Sequence, residues 1–274
     1  MEGVPFAELQ DKTRDAGKLV FMDRHSSNNA ARVRLWIYLR GLEDRVLIRS
    51  VTHVEQHEPA FLALNPHGKI PVLLLPDGTA IPESGVILQY LEDKFGDDKP
   101  LVPTTSAEDR MRMALFIKIH DTYLSTPNCT QPGFTHTQGC MYVPPPIENV
   151  AQPRSMGRAE RAAKLAEMNK QFDVIEEMTA QLRGPWLCGG SMSLADLTWY
   201  PSMCFYCFYL PKIFKWPDVF HGRPRLKAWY EKMTEECSGA ALIKEQLEKA
   251  LEKKGIDDNI IKETEDTSYK WVYP

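Results

Sequence analysis

A change in hydrophobic patterning near residue 100 most strongly constrains how this chain can fold. Up to that point short β-rich runs alternate with helical periodicities, and beyond residues 97–105 only helical periodicities follow. A length of 274 residues also favours two domains over one. We therefore predict an α/β domain over residues 17–97, a linker over 98–105 and an all-α domain over 106–240.

The α/β part has the order βαβ followed by ββα. An Ile-Pro pair begins the third strand, and the Asp77-Gly78 turn suits a hairpin to the fourth. The patterns predict strands at 18–22, 46–51, 69–75 and ending near residue 81, and helices at 30–39, 58–64 and 85–95.

The all-α part contains two capping-box patterns, one beginning at Ser106 and the other at Ser193. Repeated prolines interrupt the helices at 125–153, which we interpret as an ordered insertion or a lid. Residues 241–274 form a C-terminal extension whose last ~20 residues are expected to be surface-hugging or disordered. The predicted helices cover 106–123, 155–182, 197–209, 225–236 and 240–254.

Composition excludes several classes of protein. A net charge of -4 argues against nucleic-acid binding, which depends on a cationic surface. The acidic N-terminus has no signal-like apolar run, and no segment is apolar enough to span a bilayer. Six irregularly spaced cysteines do not suggest a disulfide framework. We therefore expect a cytoplasmic protein with reduced thiols.

Four motifs occur in order between residues 18 and 236, and together they resemble the glutathione transferase superfamily. In chain order they are Ser26-Ser27 before Arg32-Val-Arg-Leu35, Asn65-Pro-His-Gly-Lys-Ile-Pro-Val72, Pro82-Glu-Ser84 before Leu88-Gln-Tyr-Leu-Glu92, and Trp186-Leu-Cys-Gly-Gly-Ser-Met-Ser-Leu-Ala-Asp-Leu197. The resemblance implies a thioredoxin-like N-terminal domain and an all-α C-terminal domain. The paired serines resemble the zeta class, residues 135–140 and 185–189 the ganglioside-induced differentiation-associated proteins, and the insertion the glutathione-dependent dehalogenases.

The resemblance assigns glutathione, as co-substrate, to the N-terminal domain. In the family the proline of Ile70-Pro71 is cis, so that the backbone before it can pair with glutathione like an added strand. Glu83 and Ser84, at the start of a helix, would hold the γ-glutamyl end. The alternative is that these two residues only cap the helix.

Three further residues fall where related classes contact the glycyl end of glutathione: Gln56, His57 and Lys69. Lys69 could neutralise the glycyl carboxylate, although many relatives have Gln at its position. His57 could equally be a solvated surface residue.

By resemblance, the reactive step depends on Ser27. A hydroxyl donor at a helix N-terminus would raise the thiolate fraction of glutathione, with Ser26 as the fallback and Asn28 or Asn29 as an added donor. The structural alternative is a simple N-cap cluster. Because no cysteine precedes residue 129, a mixed disulfide within the N-terminal domain is excluded.

These residues predict a homodimeric glutathione transferase that attacks a small apolar electrophile and contains no metal. His120, His136 and Cys140 would form a wall of the second-substrate pocket, and Cys204 and Cys207 would be buried helical thiols. Two alternatives stay open: a scaffold or sensor that kept the fold, and a glutathione-dependent isomerase or dehalogenase.

Overall fold

The computed structural model describes residues 17–96, 99–104, 106–125, 137–141, 157–266 and 269–271. Its N-terminal half has the predicted βαβ–ββα order, which confirms the thioredoxin-like fold class. The elements are β1 (Leu19–Asp23), α1 (Asn28–Leu39), β2 (Val46–Ser50), a 3-10 turn (Glu55–His57), α2 (Pro59–Leu62), β3 (Val72–Leu74), β4 (Ala80–Pro82) and α3 (Ser84–Phe95).

The sheet has the strand order β2-β1-β3-β4, and its register determines where the loops lie. β1 is parallel to β2 and antiparallel to β3, with Met22 opposite Val72. β4 is antiparallel to β3, with Pro82 opposite Val72. The carboxyl ends of β1, β2 and β4 and the amino end of β3 therefore lie at one edge of the sheet. The segments that hold all the predicted site residues follow or precede the strands at this edge.

The C-terminal half is helical, as predicted. Its elements are α4 (Ala107–Ile119), a π-helical turn (His120–Leu124), a 3-10 helix (Thr137–Met141), α5 (Arg158–Ala180), α6 (Leu194–Phe214), α7 (Pro224–Glu236), α8 (Ala240–Lys254) and α9 (Asp258–Thr264). Apart from residues 125 and 137–141, the predicted insertion lies outside the described residues. The predicted domain limits stay a prediction.

Helix α6 forms the centre of the helical half and packs against α1 of the other half. It continues to Phe214, five residues beyond the predicted end, although Pro201 and Pro211 both lie inside it. A proline in a helix costs about 3 kcal/mol. Burial of Leu210, Ile213 and Phe214 outweighs that cost, since each removes a large apolar side chain from water.

The C-terminal extension is ordered where it is described. Helix α9 packs on α6, and Trp271 is buried against Phe214 with ring centroids 5.4 Å apart. Arg161 of α5 is buried and donates both to the carbonyl of Cys140 and to the carboxylate of Glu263 in α9. Of the two predicted alternatives, these residues take the surface-hugging one, because buried aromatic and ionic contacts hold the segment.

Two predicted boundaries also differ from the structure. β3 begins at Val72 rather than residue 69, because the Ile70-Pro71 peptide is cis. The helix predicted to reach residue 123 ends at Ile119 and continues as the π-helical turn. Among the described helices, none combines the length and apolarity that crossing a bilayer requires.

Candidate functional site

Ser27 occupies the N-cap of α1, directly after the carboxyl end of β1. Its backbone is extended (φ -93°, ψ 115°), and its hydroxyl oxygen accepts from the Ala30 N–H at 3.2 Å. The predicted N-cap role is therefore present. Capping uses an oxygen lone pair, so the hydroxyl proton stays available for an acceptor in the site. Ser26 and Ser27 are both half-buried.

The Ile70-Pro71 peptide bond is cis, as the family resemblance implied. Pro71 is buried and leads directly into β3, whereas Ile70 is only half-buried. Among the described residues, none forms a backbone hydrogen bond with Ile70. Its N–H and carbonyl can therefore pair with an extended peptide laid along this edge of the sheet.

Glu83 and Ser84 follow β4 at the same edge. Glu83 is exposed, has φ 67° and ψ 110°, and makes no side-chain capping bond. The buried Ser84 hydroxyl accepts from Arg32, whose Nε lies 2.8 Å away. The side chains of Glu83 and Ser84 therefore do not cap α3, contrary to the alternative interpretation. Because the Ser84 oxygen accepts from a guanidinium, its own proton points elsewhere and can be donated to an anion.

Arg32 also binds Asp121, a residue that the sequence analysis did not single out. The Arg32 Nη1 lies 3.0 Å from the Asp121 Oδ1, and the Asp121 Oδ2 lies 3.6 Å from where a Cβ on Gly85 would stand. Burial alone would raise the pKa of Asp121, but Arg32 and the hydrogen bond from His120 outweigh it and lower that pKa to about 2. A carboxylate therefore stands beside the N-terminus of α3.

The segments that contain Gln56, His57 and Lys69 lie against each other, and two of these residues have internal partners. The buried Gln56 accepts from Arg24 at 2.5 Å, and the His57 Nδ1 lies 2.9 Å from the carbonyl of His53. Gly68 has φ 58°, and a Cβ there would lie 3.3 Å from the Gln56 carbonyl. The loop that contains Gln56 and the loop that contains Lys69 are thus in contact.

This corner of the site is cationic. The pKa of His53 is lowered to about 4, first by burial and then by Arg24, His57, Lys254 and Lys69. Lys254 comes from the last turn of α8, far from the predicted site residues in sequence. The Nε2 of His53 is buried without a partner among the described residues. The corner suits the anionic end of a ligand.

The two capping boxes predicted in the helical half have different outcomes. The Ser193–Asp196 capping box is confirmed. Ser106 caps α4 by accepting from Asp109 at 3.1 Å, but the Asp109 carboxylate pairs with Arg112 rather than completing a box.

The cysteine and histidine predictions have mixed outcomes. Cys204 is buried, Cys207 is nearly so, and both are free thiols, as predicted. His120 and Cys140 are fully buried, so neither presents a side chain to a pocket, and His136 lies outside the described residues. In the described part of the chain, no three His, Cys, Asp or Glu side chains are placed to hold a metal ion.

Comparison with known proteins agrees with this geometry. Residues 26–94 match the family model "Glutathione S-transferase, N-terminal domain", and residues 158–232 match "Glutathione S-transferase, C-terminal domain". The chain is 27% identical over 219 residues to the glutathione S-transferase-like protein gedE of Aspergillus terreus, covering 75% of this chain and 85% of that protein. It is 32% identical over 92 residues to maleylacetoacetate isomerase of Pseudomonas aeruginosa, covering 33% and 41% of the two chains.

The fold is also similar to that of solved structures. A glutathione transferase homologue from Drosophila mojavensis with bound glutathione has a TM-score of 0.63 at 19% identity, covering 87% of this chain and 98% of that one. The two domain models match the two structural halves described above, in the same order. From these matches and the four ordered motifs, the chain belongs to the glutathione S-transferase superfamily.

Proposed function

We propose that this protein is a glutathione transferase that binds the tripeptide along the loop edge of its sheet. The main support for this proposal is Ile70, which precedes a cis proline and is half-buried. Its backbone N–H and carbonyl have no hydrogen-bond partner among the described residues. Ile70 would pair with the cysteinyl unit, while Ser84 and Glu83 would hold the γ-glutamyl end. Gln56, His57, Lys69 and the neighbouring cations would hold the glycyl carboxylate.

The proposed chemistry places the glutathione sulfur beside Ser27. A free thiol with a pKa of about 8.5 is mostly protonated at neutral pH. Donation from the Ser27 hydroxyl and the positive N-terminus of α1 would favour the thiolate. The sulfur electron pair then forms a bond to an electrophilic carbon, and the leaving group departs with its bonding electrons. Ser26 stays the fallback donor.

The experiment compares two N-cap serines. Ser27 and Ser106 each accept from one amide of the first helical turn, so replacing either by alanine removes one cap. Each change should cost about 1 kcal/mol of folding free energy. Only Ser27→Ala should also lower turnover of glutathione with 1-chloro-2,4-dinitrobenzene, by about 10- to 1000-fold. Equal turnover in the two variants would contradict the role of Ser27.

Calorimetric titration of the wild type with glutathione tests the binding site itself. Saturable binding that Ser84→Ala weakens supports the site, and no heat at millimolar glutathione refutes it. Binding without turnover of any electrophile would favour the scaffold or sensor alternative.

Thiol-assisted isomerisation is a second candidate. Its support is the paired Ser26 and Ser27 together with the similarity to the Pseudomonas aeruginosa isomerase. An isomerase adds the sulfur to a cis-enone, allows rotation about the former double bond and expels the same sulfur. A cis-enone without a leaving group distinguishes the two reactions, because an isomerase converts it without consuming glutathione.

We further propose a homodimer built on α3 and α4. Val86, Met111 and Leu115 are 54%, 54% and 43% exposed, and the last two lie four residues apart on one face of α4. Sedimentation should show a dimer that Met111→Glu with Leu115→Glu converts to monomer. A wild-type monomer would refute the proposal.

The family resemblance makes the cytoplasm the expected compartment.

A further inference from the structure

A buried chain of polar side chains connects the two halves of the molecule directly behind Ser27. Asn28, the first residue of α1, is only 3% exposed. Its side-chain amide donates to the Gln138 Oε1 at 3.0 Å and to the Ser202 Oγ at 2.8 Å. Both amide protons are thus used by groups from the helical half. The turn that contains Ser27 is therefore held from outside its own domain.

The chain continues from Ser202 to a histidine and an aspartate. The Ser202 Oγ lies 2.7 Å from the His120 Nε2, and the His120 Nδ1 lies 2.8 Å from the Asp121 Oδ1. An ionised carboxylate only accepts, so in the neutral ring the Nδ1 holds the proton and the Nε2 accepts. Two hydroxyls face this nitrogen, Ser202 at 2.7 Å and Ser125 at 3.3 Å. The shorter distance favours Ser202 as the donor, and every hydrogen bond from Asn28 to Asp121 then runs in one direction.

The same chain returns to the ligand side through Asp121. Asp121 accepts from Arg32, and Arg32 donates to Ser84. Arg32 follows Asn28 by four residues, so both lie on one face of α1. Asn28, the residue directly after Ser27, is thus connected to Ser84 through the helical half by hydrogen bonds.

The geometry of Ser202, His120 and Asp121 resembles that of a nucleophilic triad, but its surroundings do not. Ser202 and His120 are completely buried, and Ser202 already accepts from Asn28 while donating to His120. No substrate can reach an oxygen enclosed in this way. The three residues therefore serve to orient Asn28 rather than to perform hydrolysis.

We propose that His120 is a positioning residue for the glutathione reaction. Through its Nδ1–H tautomer it orients Ser202, which orients Asn28, and so sets the place of the Ser27 hydroxyl relative to the sulfur. This inference rests on the proposed function and extends it, because it assigns part of the control of Ser27 to the helical half.

The electrostatic surroundings of His120 agree with a neutral ring. Burial lowers the pKa of His120 and Arg32 lowers it further, while Asp121 opposes both. Among the described residues, Tyr206 of α6 also contacts this junction through Gln138, and burial raises the pKa of Tyr206 far above neutrality. Near neutral pH, Arg32 and Asp121 are the charged members of the junction.

Long-range ¹H–¹⁵N NMR of the whole chain reads the tautomer directly, with His120→Gln to identify the signals. A neutral Nδ1–H ring between pH 6 and 8, with or without glutathione, supports the proposal. An Nε2–H tautomer or a charged ring overturns it. This measurement requires neither ligand nor turnover.

Kinetics test the consequence at the sulfur, using two substitutions of Ser202 and one control. Ser202→Ala should lower kcat by about 2- to 30-fold, with less effect on KM for glutathione, and reduce thiolate absorbance of bound glutathione near neutral pH. Ser202→Thr, which keeps the hydroxyl, should restore both. Thr179→Ala removes a buried hydroxyl bonded within α5 and should change neither.

The outcomes separate the two proposals. If Ser202→Ala turns over substrate as fast as the wild type, the positioning role of His120 is overturned, but the proposed function is not. A wild type that fails to bind glutathione overturns the proposed function. If Ser202→Ala does not fold, the tautomer measurement on the wild type still decides whether the chain of bonds exists.

Discussion

Two aspartates in the helical half, one buried and one half-buried, show how surroundings give one side chain different tasks. Asp196 accepts from the Leu187 and Ser193 amides, the Ser193 hydroxyl and the indole of Trp229, at 2.8 to 2.9 Å. All these donors are neutral and belong to the same half of the molecule. Burial raises the pKa of Asp196, although the hydrogen bonds oppose the rise.

Asp121 lies at the boundary between the halves and has a cationic partner. Its side chain is 36% exposed, and Arg32 belongs to α1 of the other half. Despite partial burial, its pKa falls to about 2. A buried carboxylate among neutral donors fixes the fold, whereas a carboxylate paired across a boundary and open to solvent keeps its charge available to a ligand.

The largest expected effect follows from removing the enclosed carboxylate. Asp196→Ala leaves four donors without an acceptor, including the amide of Ser193 at the N-cap of α6 and the amide of Leu187 in the preceding loop. We expect the free energy of unfolding to fall by about 3 kcal/mol or more, as measured by chemical denaturation.

The matched control is Asp93→Ala, at an exposed position on α3, which should change stability by less than about 0.5 kcal/mol. An Asp196→Ala protein as stable as the control would show that solvent reaches this cluster and would remove the contrast with Asp121.

A smaller effect on stability and a larger effect on the ligand are expected for Asp121→Asn. The amide can still accept from Arg32, so unfolding should become easier by only about 1 kcal/mol at this partly exposed pair. Loss of the charge should weaken glutathione binding by about 5- to 20-fold, which calorimetry measures. Unchanged affinity would place Asp121 with Asp196 as a purely structural residue.

The pH dependence of that pair has a defined sign. The folded-state pKa of Asp121 lies below its ordinary value near 3.8, so its ionised form stabilises the fold above that value. The stability difference between wild type and Asp121→Asn should therefore be constant near neutrality and shrink as the pH falls from about 4 toward about 2. A difference that grows in acid would contradict the assigned pKa shift.

The smallest expected effect concerns His53, which is half-buried in the cationic corner. Because its folded-state pKa is about 4, the unfolded chain binds the proton more readily, and stability should fall as the pH drops from about 6.5 toward 4. Each pKa unit corresponds to about 1.4 kcal/mol for an enclosed group and to less here because of solvent screening.

His53→Gln should flatten this part of the stability curve without changing stability at pH 8. A curve as steep as that of the wild type would mean that the proton binds elsewhere.

Local pattern was enough to predict the order of the elements and most of the candidate site. Ile70-Pro71, the serine before α1 and Glu83-Ser84 each stand at a turn whose chemistry is visible within a few residues. Arg32 and Asp121 were not predicted as partners, because they are 89 residues apart and each alone suggests only a solvated helix face. The sequence indicates Asn28 only as an added donor to sulfur, since its partner Ser202 lies 174 residues away.

The errors in the helical half have the same origin. Pro211 ends a helix in an isolated peptide, but here the surrounding apolar side chains keep α6 helical to Phe214. The polar composition of the tail predicts a surface-hugging or disordered segment, and contacts with Arg161 and Phe214 hold its described residues in place. A segment departs from its local conformational preference wherever packing against residues distant in sequence contributes more free energy than that preference.

The contacts of the Arg161 guanidinium also predict what happens when the C-terminal end of the chain is removed. The guanidinium joins α9 to the carbonyl of Cys140, two residues after the side chain that contacts Asn28. A protease that removed the chain from Asp258 onward would remove Glu263, the ionic partner of Arg161. It would also weaken the hold of Arg161 on the short 3-10 helix at Cys140. Damage at the carboxyl terminus would thus reach the opening turn of α1, more than two hundred residues away along the backbone.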